Sequence, residues 1–359
     1  MGSTSTNNGN KQHSKSELKH EFDRLSREIS YLVNTSIASV KVKKLLVEER
    51  YRVEPFSMRP VMHVVLSAPI GEMKSTTLAE IADVVKAPVV TELTQPGLIG
   101  TIDKQTYQII PGAAWKVRNK MLLIDEFNLG KEREGWNVFL QLLEDQMWNK
   151  RFGGNVISAT PEIDGDLYLK AEKGELDIKT RFASIFTTMK SIEYYGSQGF
   201  RAFISRTVPY NYRLSRNQIQ TILHGKKLFK YEEINPPTEV TIPLKTYTKI
   251  IKIVDEEISL EKSDVGNEYY ARTVGDCCRF FAVRGTLKGV EKIAQLKIMA
   301  HHLIGTATKE GRYNMDNVNA DQDHSEEIKE NMRRQFEEKK HKKKRDERDE
   351  RQSNLSDGQ

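Results

Sequence analysis

This sequence contains few cysteines and no long apolar runs. The first argues against a disulfide-stabilised fold and the second against a membrane-spanning helix. Among 359 residues the only cysteines are Cys277 and Cys278, which are adjacent and therefore poorly placed to cross-link a fold. No apolar stretch approaches the roughly 18 residues that a membrane-spanning helix needs, and no secretory signal opens the chain. We therefore expect a soluble, cytoplasmic protein without membrane contact.

Charged residues, by contrast, are abundant. They make up 30% of the chain, with a net charge of +6 and an isoelectric point near 9.0, while the 38% hydrophobic content is enough for a core. A basic balance permits contact with nucleic acid or acidic partners. A solvated basic surface is the alternative interpretation, and charge alone does not separate the two.

Changes in composition divide the chain into five segments. We predict disordered tails at 1–17 and 321–359, a helical segment at 18–55, an alternation of strands and helices at 56–215, and a helical region at 216–320 with a loop at 234–243. The alternation predicts an α/β fold, with a parallel sheet flanked by helices as a three-layer core, and a smaller helical region follows it. In the last tail the charges alternate in sign, which favours a solvated helix that frays, with a nucleic-acid-binding tail as the alternative.

One stretch, VMHVVLSAPIGEMKSTT at residues 61–77, has the order of a phosphate-binding loop: an apolar strand, a turn with lysine and hydroxyl, and a helix. In such loops backbone N–H groups hold the phosphates, the lysine reaches the terminal ones, and the hydroxyl binds magnesium. The predicted nucleotide-binding residues are Ala68, Pro69, Ile70, Gly71, Glu72, Met73, Lys74, Ser75 and Thr76. Ala68 and Met73 replace the two outer glycines of G-x-x-x-x-G-K-[ST], so the stretch taken alone fits a plain strand-to-helix turn better than a phosphate loop. Alanine is acceptable at the first position if its φ stays negative.

A second stretch, KMLLIDEFN, supplies two acids about fifty residues after Lys74. Four apolar residues predict a buried strand, and Asp125 and Glu126 follow at its carboxyl end, where open parallel sheets bind ligands. We predict that Asp125 holds magnesium together with Ser75 and that Glu126 activates the attacking water. The two stretches in this order predict a site for ATP and Mg²⁺.

With their surroundings, these motifs resemble the AAA+ ATPases of the helix-two-insert group, which contains the MCM helicases and the MoxR-type remodelling ATPases. The resemblance extends to Gly97-Leu98-Ile99-Gly100-Thr101, Pro111-Gly112-Ala113-Ala114 and Leu142-Leu143-Glu144-Asp145. It implies an AAA+ core and lid and a homo-oligomeric ring, usually of six subunits. It also implies that an insert at about Leu98 to Tyr107 contacts the threaded substrate.

The same resemblance implies roles for three further residues. In TTMKSIEYYGSQGFRAFISRTVPY, Arg206 matches the arginine finger that enters the neighbouring subunit's site, and Lys190 stands at the sensor-one position, where the family usually has asparagine. In YYARTVGDCCRFFAVRG, Arg272 matches the sensor-two arginine and Arg279 a later one. The implied catalytic residues are therefore Lys74, Glu126 and Arg206, with Lys190 and Arg272 among the nucleotide-binding ones.

Three functions remain open from the sequence. The first is an ATP-hydrolysing, MCM-like DNA helicase or translocase, with DNA contacted by basic residues such as Lys150, Arg151 and Lys170, which are equally well ordinary surface charges. The second is a MoxR-like ATPase that remodels a protein partner. The third is a nucleotide-gated scaffold without turnover, which Met73 and Lys190 would help to explain.

Overall fold

Strands alternate with helices along the chain. The computed structural model describes residues 15–91, 97–98, 100–102, 109–117, 120–126, 139–144, 147–151, 169–170, 175–179, 181–188, 198–261 and 265–310. In chain order the elements are α1 (Lys15–Ser39), β1 (Lys44–Val47), β2 (Phe56–Met58), β3 (Val64–Ser67), α2 (Lys74–Val85), β4 (Val89–Val90), β5 (Gly100–Ile102), β6 (Ile109–Pro111), α3 (Ala113–Lys116), β7 (Lys120–Ile124), a helical segment at 139–144, β8 (Met147–Arg151), β9 (Leu169–Lys170), β10 (Glu175–Lys179), β11 (Phe182–Thr188), α4 (Gln198–Ser205), β12 (Val208–Asn211), α5 (Arg216–Leu223), β13 (Glu239–Ile242), α6 (Leu244–Glu261), α7 (Asn267–Arg284) and α8 (Val290–Glu310).

Five strands form a central, all-parallel sheet in the order β12-β3-β11-β7-β4. Every residue of β3, β11 and β12 is buried, which explains their nearly continuous apolar sequences. Helices pack on this sheet, so the predicted α/β fold with a parallel sheet is confirmed, and the arrangement is compatible with a three-layer core.

Helix α1 packs on the core. It contacts α7, α5 and strands β3 and β11, and buries an apolar stripe that includes Phe22, Ile29 and Val33. Its register is held by polar contacts, such as the bond from the Ser36 hydroxyl to the Met62 carbonyl at 2.7 Å. The amphipathic pattern in the sequence is therefore explained by burial within the same chain.

A second, smaller sheet joins the N-terminal segment to the region after α5. Strand β1 pairs in parallel with β13 and antiparallel with β2, with Leu45 opposite both Val240 and Met58. The predicted loop at 234–243 is thus wrong for Glu239–Ile242, and the segment predicted as helical at 18–55 contains strand β1 after its helix. Both strands form because each is the other's partner across almost two hundred residues of chain.

The C-terminal helices α6, α7 and α8 pack on one another, and α8 also contacts α4 and β12. Cys277 and Cys278 are buried free thiols in α7, and burial raises the pKa of Cys278 to about 12, so both act as small apolar side chains. Within the described ranges, no helix has the length and apolar character needed to cross a membrane.

The predicted insert and the segment that carries the basic residues Lys150, Arg151 and Lys170 are described only in part. Strands β5 and β6 form an antiparallel pair, and β8, β10 and β9 form a three-stranded sheet. The predicted substrate-contacting residues 103–107, the sensor-one residue Lys190 and the charged tail 321–359 lie outside the described residues.

Candidate functional site

The predicted phosphate loop lies at the carboxyl edge of the sheet, between β3 and α2. Strands β11, β7 and β4 lie on one side of β3, and β12, the last strand of this sheet in chain order, lies on the other. Ligands of open α/β sheets bind at the carboxyl ends of the strands where the connections diverge in this way. The loop therefore occupies the position that the fold favours for a ligand.

Met73 adopts a left-handed backbone conformation, with φ 57° and ψ 24°, directly before α2. This conformation costs an L-residue about 1–2 kcal/mol, whereas glycine adopts it freely. The glycine of the consensus is therefore missing, but its backbone geometry is retained. The half-buried Met73 side chain packs against the core, which offsets part of the cost. Ala68 is not among the described residues with positive φ, as the sequence analysis required.

Lys74 is the first residue of α2, and its buried amine already lies within the loop. It donates hydrogen bonds to the carbonyl oxygens of Ala68 and Pro69, both at 2.5 Å. Ser75 and Thr76 are exposed at the start of the helix. The side chain that is expected to reach phosphate is thus held at the centre of the loop by two acceptors that phosphate oxygens can replace.

Tyr212 and Leu214, which follow β12, form hydrogen bonds that hold the phosphate loop in place. The Leu214 backbone N–H donates to the Glu72 carboxylate at 2.7 Å, and the Tyr212 hydroxyl donates to the Glu72 carbonyl at 3.3 Å. Burial raises the pKa of Tyr212; a hydrogen bond with Thr77 acts in the opposite direction, and the charges of Glu72 and Asp125 raise it further. The hydroxyl therefore remains a donor throughout the physiological pH range. Sequence reasoning missed Tyr212, because nothing in YNYRL marks it apart from ordinary core aromatics.

The acidic pair lies at the same edge of the sheet, separated from the loop by strand β11. Asp125 follows β7 and is buried, whereas Glu126 is exposed and has a φ of 50°. Thr187 of β11 donates to Asp125 Oδ1 and accepts the Glu126 N–H at 3.0 Å. One residue further along β11, the Thr188 carbonyl accepts the N–H of Ala68 at 3.3 Å. Strand β11 therefore links the phosphate loop to the acidic pair.

Thr187 holds both acids of the pair, a contact that no local pattern in the sequence marks, and Thr187→Val tests what this contact does. Valine keeps the shape but removes the hydroxyl that donates to the buried Asp125, leaving the Glu126 N–H as its remaining donor at 3.1 Å, which we expect to destabilise the fold by about 1–3 kcal/mol. We also expect Mg²⁺ affinity, measured with a non-hydrolysable ATP analogue, to fall about 10–100-fold, as when other groups that orient metal ligands are removed. Thr187→Ser restores the hydroxyl and should recover both; equal affinity in the valine variant would contradict the role.

Arg206 lies at the opposite edge of the sheet. It lies two residues before β12, in which Val208 pairs with Val64, the first residue of β3, whereas Lys74 comes after the far end of β3. The Arg206 guanidinium forms an ion pair with Glu144 and donates to the Ala202 carbonyl at 2.8 Å. Arg206 and Lys74 of one chain therefore cannot serve the same phosphate group.

Arg272 of α7 joins Arg206 rather than the phosphate loop. Its guanidinium lies 2.8 Å from Glu144 Oε1, so one carboxylate holds two arginines that are only 14% and 17% exposed. Burial raises the pKa of Glu144, but hydrogen bonds and charges from Arg272 and Arg206 together hold it below its ordinary value. Glu144 is therefore ionised at neutral pH.

His63 anchors the helical segment 139–144 that carries this glutamate. Its Nε2 lies 3.1 Å from the Leu143 carbonyl and its Nδ1 lies 2.6 Å from the Ser184 hydroxyl. Burial, followed by the charges of Arg59 and Arg279, lowers the pKa of His63 far below its usual value, so the ring is neutral. Neutral histidine then donates from Nε2 to the carbonyl and accepts from Ser184 at Nδ1.

The predicted site residues thus form two groups at opposite edges of the sheet. One group contains the phosphate loop, Asp125 and Glu126; the other contains Arg206 and Arg272 around Glu144. Lys74 and Asp125 with Ser75 have the chemistry that a magnesium-bound triphosphate requires: a buried cation, a buried carboxylate and an exposed hydroxyl.

A scan against models of known protein families finds no match for this chain, and a search of curated proteins finds none either.

Proposed function

We propose that this chain binds ATP with Mg²⁺ at the loop after β3 and hydrolyses it in a ring of identical subunits. The observation that carries the proposal is the separation of the site residues into two groups at opposite edges of one sheet. One edge carries the phosphate loop and the acidic pair, and the other edge carries the paired arginines. A complete hydrolytic site, with all of these groups around one nucleotide, therefore forms only when two copies of the chain meet.

Within the loop, Lys74 exchanges its two carbonyl partners for phosphate oxygens when ATP binds. Asp125 and Ser75 are the residues that would hold Mg²⁺, which neutralises charge on the phosphates when bound. Glu126 accepts a proton from the attacking water as the water oxygen bonds to the γ-phosphorus and ADP leaves.

The neighbouring copy contributes Arg206, whose guanidinium stabilises the charge that develops on the transferred phosphoryl group. For this it must exchange Glu144 for phosphate oxygens. Contact between unlike surfaces of identical chains is heterologous, and it closes into a ring when the rotation between copies permits. Six subunits are expected from the resemblance.

DNA is the polymer that we propose the ring moves. The basic balance of the chain supports this, as does the sheet β8-β10-β9, where Arg151 and Lys170 flank Glu175 at one register position. Glu175 adds a negative charge to this otherwise basic register position, so a protein substrate is the second candidate, supported by the family resemblance alone.

Phosphate release by the full chain with ATP and Mg²⁺, with and without single-stranded and duplex DNA, tests the proposal. We expect turnover that rises with DNA and a stimulation that weakens steeply with salt, because phosphate contacts release counterions. Turnover that is indifferent to DNA would favour protein remodelling. No turnover under any condition, with ATP still bound, would favour a nucleotide-gated scaffold.

Lys74→Met provides the nucleotide-binding control for this assay. Methionine keeps the length of the side chain but removes two charge-assisted hydrogen bonds to phosphate, a loss of about 3 kcal/mol and thus about 100-fold in ATP affinity. Fluorescent ATP-analogue titration measures the effect, and Lys86→Met, an exposed lysine at the other end of α2, should bind as the original chain does. Unchanged affinity in Lys74→Met would place the phosphates elsewhere.

A further inference from the structure

A fully buried lysine on α8 ends at the turn that carries Arg206. Lys297 donates from Nζ to the carbonyl oxygens of Ile204 at 3.3 Å, Ser205 at 2.8 Å and Thr207 at 2.8 Å. These carbonyls belong to the last turn of α4 and the residues after it, where the helix leaves acceptors without internal partners. A cation at this end also complements the helix dipole.

A buried carboxylate on α7 balances the charge of Lys297. Asp276 lies 2.8 Å from Lys297 Nζ and 2.5 Å from Arg279 Nη1. Arg279 in turn donates from Nε to the Arg59 carbonyl at 2.8 Å, close to the entry to β3. The charges of Lys297 and Arg279 lower the pKa of Asp276 to about 2 even though its burial has the opposite effect, so it is ionised at neutral pH.

The network connects three separate segments of the chain to one turn. Apolar residues of similar volume stabilise a buried position at least as well as an ion pair does, so packing alone does not call for lysine here. What lysine adds is three directed hydrogen bonds to the backbone on either side of Arg206. The Arg206 N–H is itself bonded to the Phe203 carbonyl at 2.9 Å, so the turn has a defined shape.

We propose that Lys297, held by Asp276, is a positioning residue for Arg206: it couples the C-terminal helices to the nucleotide site of the neighbouring subunit. This inference rests on the proposed function, in which Arg206 acts across the interface. A displacement of α8 relative to α4 then moves the Arg206 turn with it. The lid helix of one subunit thereby controls hydrolysis in the next.

Lys297→Met and Asp276→Asn test the coupling through the kinetics of ATP hydrolysis. We expect kcat to fall at least tenfold with KM for ATP nearly unchanged, because the phosphate loop of each chain is intact. The double variant Lys297→Met/Arg206→Ala should be no slower than Arg206→Ala alone, and Lys297→Arg should recover part of kcat. Lys292→Met, on the same helix at a half-exposed position, serves as the matched control.

A kcat within twofold of the original, or a further loss in the double variant, would overturn the coupling. Asp276→Asn keeps the shape of its side chain, so it decides the question if Lys297→Met does not fold. Thermal unfolding of each variant identifies losses that come from misfolding instead.

Hydrogen exchange supplies a readout that does not depend on activity. In Lys297→Met we expect the amides of residues 203–208 to exchange at least tenfold faster, while those of α2 keep their rates. Unchanged exchange at 203–208 would overturn the inference even if ATP turnover is absent. If the original chain has no turnover, the proposed function fails, and this measurement still decides whether Lys297 holds the turn.

Discussion

Glu126→Gln is expected to reduce ATP hydrolysis about 10²–10⁴-fold while leaving ATP binding nearly unchanged. Glutamine matches the size of glutamate but cannot accept a proton from the attacking water. The backbone of residue 126 should keep its position, because its N–H is held by Thr187 at 3.0 Å and by Asp125 Oδ1 at 3.1 Å. The variant should therefore be a chain that retains ATP without turning it over.

Phosphate release and retention of labelled ATP after rapid filtration measure the two halves of this prediction. Asp83→Asn removes an exposed acid from α2, away from the site, and should behave as the original chain does. Undiminished turnover in Glu126→Gln would show that another group activates the water. If the variant retains the biological activity of the chain without turnover, the scaffold function is favoured over a motor.

Arg206→Ala is expected to lower kcat about 10³-fold or more, the range measured when arginine fingers are removed, with little change in ATP affinity. ATP affinity should change little because Arg206 and Lys74 of one chain lie at opposite edges of the sheet, so the loss of Arg206 leaves the phosphate loop of that chain intact. Arg206→Lys should recover little, since an ammonium group lacks the planar pair of donors that a guanidinium offers. Arg216→Ala, an exposed arginine at the start of α5, is the matched control.

Mixing Arg206→Ala with Glu126→Gln separates action on the neighbour from action within one chain. Each variant alone is inactive, but a site with an intact Glu126 gains an intact Arg206 when the adjacent subunit is Glu126→Gln. We expect turnover to reappear in the mixture and to depend on total protein concentration, as assembly requires. A mixture as inactive as its components would contradict an intersubunit role for Arg206.

The residues of the predicted phosphate loop and of the acidic pair could be placed from the sequence because short-range order defines them. An apolar run ending in a turn, then lysine and hydroxyl before a helix, positions Lys74 and Ser75 relative to a strand end. Likewise, four apolar residues followed by Asp125 and Glu126 place both acids at a strand end. Parallel pairing then brings the two strand ends to one edge.

Other features depend on contacts between segments far apart in the chain, which no local pattern encodes. Strand β13 forms only because β1 offers it a partner, so its short segment between prolines reads as a loop. Met73 takes a left-handed conformation that its residue type disfavours, and the turn geometry imposes it. Thr187 and Tyr212 acquire roles through neighbours supplied by folding.

Lys297 could be predicted from the sequence only in part. It falls in the buried stripe of α8 with Val290, Ile293 and Ala294, and a lysine at such a position is a detectable anomaly. Its partners, however, lie about twenty residues away in α7 and about ninety residues away at the end of α4, and no local pattern in the sequence indicates them. The sequence by itself therefore determined the strand ends, and with them the positions of the loop that carries Lys74 and of the acidic pair, because those follow from local periodicity. Only the tertiary structure decided that Arg206 and Arg272 share Glu144 at the far edge, because that grouping arises when separate segments meet.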